Sequence, residues 1–274
     1  MNNIISELFN TESEALFNLA QKIGNSKIPL TCSPNILVGN CTTRPICRHC
    51  KWEYMKSRNN EFYIKRSLEE IISRTKILEK SGINRVFAAS GWMGFKVPKY
   101  FYEYINAMKE NSTMEVFGLF GAIGRESLTG LKDAGMDGYF CGLESPNEQL
   151  YKLFRPGGDT MRDRIVSLNT AKNIGLKLWS GFLVGFGESE EDVSGGLEIL
   201  KELNVDSISI LPFIPVTNTE MMREDPANPF WWAKVMAVAR IYNDKPDMFS
   251  DQKEGLYSSY SQLAGANGFY IFPK

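Results

Sequence analysis

Five cysteines stand in this chain, Cys32, Cys41, Cys47, Cys50 and Cys141, and three of them fall within ten residues. The run reads Cys41-Thr-Thr-Arg-Pro-Ile-Cys47-Arg-His-Cys50, a C-x5-C-x2-C spacing. Three thiolates carried by one loop can hold three irons of a cubane iron–sulfur cluster. The fourth iron is then left open, as reactive metal sites require and closed structural sites do not. The alternative is a zinc site of the Cys3His type using His49, the chain's single histidine. His49 lies between Cys47 and Cys50 and would have to curl back to the same metal. The paired C-x2-C units of zinc ribbons are also absent. An odd count with clustered thiols argues against a secreted disulfide framework and for a reducing, cytoplasmic setting. Cys32 and Cys141 lack motif spacing and read as small buried residues.

The elements that must position this loop follow a strand-then-helix rhythm. A first helix is expected over 11–24 with Thr11 as its cap, and a first strand over 34–40 runs straight into the cysteine loop. A helix over 67–81 carries Leu68, Ile71, Ile72, Thr75 and Leu78 at helical spacing, with a Ser67–Glu70 capping box and Gly82 as its stop. Strand 84–90, helix 98–111, strand 114–120, helix 125–134 and strand 137–144 follow. Next come helix 161–174, strand 176–185, helix 189–203 with a Ser189–Asp192 capping pair, strand 206–214 and helix 228–242. Segments 246–250, 257–264 and 268–272 complete up to eight βα units.

Such alternation implies a parallel sheet with right-handed crossovers. The preferred reading is an α/β fold of the (βα)8 TIM-barrel type, with an open doubly wound sheet as the alternative. The whole chain, 1–274, reads as one barrel domain, with 1–33 as an N-terminal helical extension and 34–274 as the barrel. In a barrel, chemistry gathers at the C-terminal ends of the strands, which is where a loop after strand one lies. On strand four, the two-residue period puts Cys141 on the face opposite Glu144.

Composition bounds the rest. The chain has 274 residues, 43% hydrophobic and 23% charged, so a large core can form. With 31 basic and 32 acidic residues, the net charge of -1 creates no field that would attract nucleic acid or an anionic membrane surface. No apolar run is long enough to be expected to cross a membrane, and the first residues lack the pattern of a signal peptide.

Taken together, these motifs resemble the radical S-adenosylmethionine (SAM) superfamily. Its common signature is C-x3-C-x2-C with an aromatic residue before the last cysteine. Here the first gap is two residues longer and His49 takes the aromatic position. Ser90-Gly91-Trp92 closes strand two where the superfamily binds the SAM amino group. Gly142-Leu143-Glu144-Ser145-Pro146-Asn147 and the stretch through Arg155-Pro156-Gly157-Gly158 are similar to biotin synthase and its relatives. Those relatives include methylornithine synthase and [FeFe]-hydrogenase maturation enzymes. Ser180-Gly181-Phe182-Leu183-Val184-Gly185 resembles the adenine segment of strand five. The five-residue gap resembles the radical SAM proteins associated with making the iron-guanylylpyridinol cofactor of [Fe]-hydrogenase.

The resemblance covers about 34–270. It implies a [4Fe–4S] cluster on Cys41, Cys47 and Cys50, and reductive cleavage of SAM to methionine and a 5′-deoxyadenosyl radical. It further implies that Ser90, Gly91 and Trp92 meet the methionine ammonium by backbone carbonyls. Glu144 would accept from ribose hydroxyls or the ammonium. Arg164, with Arg155 and Arg162 as alternatives, would pair with the SAM carboxylate in a fork. Gly181, Val184 and Gly185 would lie under adenine. The implied partners are a small-molecule substrate, such as a pyridinol precursor, and a reductase or ferredoxin as electron donor. The competing reading is an iron–sulfur or zinc scaffold without radical chemistry, which would have no need of the SAM elements on strands two, four and five.

Overall fold

In a computed structural model, residues 3–37, 39–50, 66–251 and 256–271 are described. Eight parallel strands close into a barrel in chain order. They are β1 Leu30–Leu37, β2 Arg85–Ala89, β3 Glu115–Leu119, β4 Gly138–Phe140, β5 Lys177–Val184, β6 Ser207–Pro212, β7 Asp247–Asp251 and β8 Gly268–Tyr270. The seam is sealed by β1 against β8, Leu30 opposite Gly268 through Cys32 opposite Tyr270. The closed barrel expected from the alternation is therefore present, and the open sheet is not.

The helices form the outer layer: α1 Asn3–Asn10, α2 Ser13–Asn25, α3 Leu68–Lys80, α4 Tyr100–Glu110, α5 Arg125–Asp133, α6 Glu148–Phe154, α7 Met161–Asn173, α8 Glu190–Leu203, α9 Pro229–Tyr242 and α10 Leu256–Leu263. The capping boxes read at Ser67–Glu70 and Ser189–Asp192 are both formed, and Thr160–Asp163 makes a third. Two shells of apolar side chains result from the two-residue strand period. Cys32, Phe87, Phe117, Trp179 and Phe249 fill the barrel interior, joined by Phe140 and Tyr270. The larger shell lies between strands and helices and includes Val86, Val116, Tyr139, Cys141 and Leu143.

Three expectations need correction. The N-terminus holds two helices rather than one over 11–24, and Glu12, not Thr11, caps the second by accepting from Ala15 N at 3.2 Å. α1 exists because Ile5 and Phe9 bury a face, with Phe9 stacked on Trp231 of α9 at 5.7 Å. The first strand starts at Leu30 instead of 34, because its first residues pair with β8 and Thr31 N donates to Asn84 Oδ1. β4 is shorter than 137–144: Glu144, at φ 63°, leaves the strand conformation and rejoins the sheet at a single bridge to Phe182. Among the described residues, no helix is long and apolar enough to cross a membrane. Residue 272 of the expected last strand lies outside the described residues.

Candidate active site

A cavity of about 190 Å³ opens at the C-terminal mouth of the barrel. The loop after β1 lines it with Cys41, Thr43, Cys47, His49 and Cys50. The turn after β2 adds Ser90, Gly91 and Trp92; the segment after β4 adds Cys141, Gly142 and Glu144; Arg155 and Arg164 close the far side. None of the three loop cysteines forms a disulfide.

The loop is pinned by backbone on both sides. Thr42 N donates to Trp92 O at 2.8 Å, and Arg48 N donates to Phe154 O at 2.9 Å. Gly91 is needed for the close approach to strand two, since a Cβ there would come within 2.3 Å of the Cys41 Cβ. Gly157 plays the same part on the other side, its imagined Cβ lying 2.3 Å from Arg44 O. The indole of Trp92 is fixed by donation from Nε1 to Ala122 O at 2.9 Å. Burial pushes the Cys47 thiol up to about 11, with the guanidinium of Arg155 acting the other way. A buried thiol of this kind ionises readily only when a cation or metal takes the charge.

Behind the cysteines lies a buried ionic network. Arg164 donates to Glu144 Oε1 at 2.6 Å and to Gly142 O at 2.5 Å, and its Nε lies 2.9 Å from Asp159 Oδ2. Arg155 donates to Asp159 Oδ1 at 2.5 Å and to the Tyr151 hydroxyl at 3.0 Å, while its other terminal nitrogen stands 3.7 Å from Glu144. Asp159 also accepts from Ala122 N at 2.7 Å. Burial alone would raise Glu144 and Asp159, but Arg164 and then Arg155 outweigh it and hold both carboxyls below their usual range. Two cations thus face two anions, which is how buried charge is tolerated.

His49 stands at the edge of this network, Nε2 4.0 Å from Glu144 Oε2. Its ring meets Phe154 and Phe186 edge-on. Burial lowers its pKa, with Glu144 opposing, and its Nδ1 is buried without a hydrogen-bond partner among the described residues.

The structure therefore brings Cys41, Cys47, Cys50, Ser90, Gly91, Trp92, Glu144, Arg155 and Arg164 to one cavity. Gly181, Val184 and Gly185 do not border it; Gly181 presses on Ser209 and Gly185 on Ala227, and Val184 is fully buried. Arg162 is exposed on α7 and outside the cavity. Asp159 and Tyr151 were missed from sequence. Their only signal was an acid directly after Gly157-Gly158 and a tyrosine one helical turn before Arg155. Cys32 is fully buried in the barrel interior. Cys141 packs in the outer shell beside Tyr139, and burial pushes its thiol up to about 12.

The Radical SAM superfamily sequence model matches residues 35–200. An uncharacterized protein of Methanocaldococcus jannaschii is 32% identical over 234 residues, covering 82% of this chain. The chain spans only 61% of the length of that relative. Biotin synthase of Clostridium acetobutylicum is 25% identical over 261 residues, covering 92% of this chain and 78% of the enzyme. Among solved structures, methylornithine synthase superposes with a TM-score of 0.83 at 20% identity over 98% of this chain and 82% of its own. HydG, a maturase of the [FeFe]-hydrogenase, gives 0.83 at 20% over 97% of this chain and 63% of its own. At that identity the last two show likeness of fold.

Proposed function

The chain belongs to the radical SAM superfamily, and from that premise we propose that Cys41, Cys47 and Cys50 hold the [4Fe–4S] cluster at which it cleaves SAM. The protein is a radical SAM enzyme with biotin-synthase-like relatives, and its cofactors are that cluster and SAM. The donor set fits the group: three cysteines outside any disulfide, on one pinned loop, border a single cavity, which leaves one iron for SAM. When bound, the cluster supplies one electron that splits SAM into methionine and a 5′-deoxyadenosyl radical able to abstract a hydrogen atom.

The protein's share is binding, orientation and exclusion of water. The carbonyls of Ser90 and Gly91 would meet the amino group, with Gly91 allowing the close approach, whereas the Trp92 carbonyl expected to join them already accepts from Thr42 N and Oγ1. Arg155 and Arg164 would meet the carboxylate; Arg155, one of whose terminal nitrogens stands 3.7 Å from Glu144 Oε1, beyond hydrogen-bond distance, has the donor to spare. Glu144 accepts from the ribose or the ammonium, held toward the cavity by Arg164. The observation that carries this reading is that residues from four separate segments, chosen for these roles by sequence, line one cavity.

For the substrate, the reading extends to a small molecule on the route to the iron-guanylylpyridinol cofactor, a pyridinol precursor. Its support is the C-x5-C-x2-C loop. A cytoplasmic protein supplied with electrons by a ferredoxin or reductase fits the same picture. The test is deuterium transfer. A pyridinol precursor carrying deuterium at its ring substituents, turned over with SAM under reduction, is expected to place one deuterium in 5′-deoxyadenosine. Undeuterated 5′-deoxyadenosine at an unchanged rate would reject that substrate and favour another small molecule of the biotin-synthase-like branch.

A further inference from the structure

The five residues between Cys41 and Cys47 are used unequally. Thr42 is spent on strand two, both its N and its Oγ1 donating to Trp92 O. Arg44 turns back on the loop, its guanidinium donating to Thr43 O at 2.6 Å. Ile46 is 39% exposed. Thr43 alone faces inward: it is 1% exposed and borders the cavity between two of the cysteines. Its hydroxyl is buried and has no hydrogen-bond partner among the described residues. The wall opposite is Gly158, at φ +87°, where an added Cβ would lie 3.0 Å from Thr43 Oγ1. No side chain can stand there to satisfy it.

A buried hydroxyl left unpaired is destabilising, so an orphan in a cavity points to a ligand atom. Thr43 lies two residues after one proposed iron ligand and four before the next. The nearest ligand chemistry is therefore sulfur, an acceptor for O–H. We propose that Thr43 Oγ1 donates a hydrogen bond to a sulfur of the bound cluster, a sulfide or a cysteine thiolate, and thereby raises its reduction potential. This rests on the assignment of the cluster to Cys41, Cys47 and Cys50. The physical basis is charge: one added electron makes the sulfurs more negative, and a donor binds the more negative state more strongly. Thr43 is a positioning and tuning residue for the cluster, delivered by the longer loop.

The experiment is a redox titration of the reconstituted protein, followed by the EPR signal of the reduced cluster, with and without SAM. In Thr43→Val, which keeps the shape and loses the hydroxyl, the ratio of reduced to oxidised cluster at a fixed potential is expected to fall about fivefold, which corresponds to a hydrogen bond stronger by roughly 1 kcal/mol in the reduced state than in the oxidised one. Thr43→Ser restores the hydroxyl and is expected to recover most of the ratio. An unchanged ratio in Thr43→Val overturns the proposal, as does a fall that Thr43→Ser shares. A change seen only with SAM present also overturns it, because the hydroxyl would then serve SAM. If the valine variant loads too little iron, Thr43→Ala carries the same expectation without steric risk. Failure of the unmodified protein to hold a cluster would instead reject the cysteine assignment itself.

Discussion

Asp159 is the carboxylate on which both cavity arginines converge, and it is fully shielded from solvent while Glu144 is partly open to it. Its folded-state pKa is depressed, as is that of Glu144, by Arg164 and Arg155 against the pull of burial. Depressed carboxyls contribute stability that is complete above their unfolded values of about 4 and is lost as pH falls through the folded values. The melting temperature of the metal-free protein is therefore expected to drop below about pH 4. Asp159→Asn is expected to lower the melting temperature at pH 7 and to make its fall in acid shallower. A variant with the same acid limb as the parent would remove Asp159 from the network. Arg164 was legible because the resemblance places an arginine about twenty residues after the strand-four acid, and Arg155 only as an alternative near it. Asp159 was not, since a single acid beside two glycines reads equally well as a turn.

At the scale of elements, sequence periodicity located the helices whose caps and apolar faces agree, such as α3 between Ser67 and Gly82. It failed where tertiary partners decide the boundary. α6 is seven residues long and is held by Asn147, whose side chain accepts from Leu150 N; its residues read instead as part of a motif. β1 begins early because β8, far along the chain, pairs with it. The closure of β7 and β8 depends on one buried cation that no pattern announces. Arg240 of α9 is fully buried and donates to Gly265 O, Pro246 O and Asn267 Oδ1 at 2.7–2.9 Å. Burial brings its pKa down to about 10, which still leaves it charged at pH 7. Arg240→Met is expected to cost about 3 kcal/mol or more, because buried acceptors would be left unpaired. Denaturant unfolding measures it, and a loss under about 1 kcal/mol would show that water replaces the side chain.

At the scale of the molecule, the barrel does two jobs with its two ends. The interior is packed with Phe87, Phe117, Phe140, Trp179, Phe249 and Tyr270, tilted and edge-on at 4.0–6.4 Å. Arg85 closes the lower end over three of these rings while pairing with Glu115 and Asp247. The strand C-termini then carry the proposed site, where (βα)8 architecture gathers chemistry. That division was visible from the alternation of strands and helices and from the loop after strand one. The aromatic filling was not, because single-sequence patterns do not say which face of a strand meets which neighbour.

The central claim is that Cys41, Cys47 and Cys50 hold the cluster that cleaves SAM, and formation of 5′-deoxyadenosine tests it most directly. The protein, reconstituted with iron and sulfide without oxygen and given dithionite, SAM and a candidate substrate, is expected to produce 5′-deoxyadenosine. Cys47→Ala is expected to produce none. Equal production by Cys47→Ala, or stoichiometric zinc in the protein with no binding of SAM, would contradict the account.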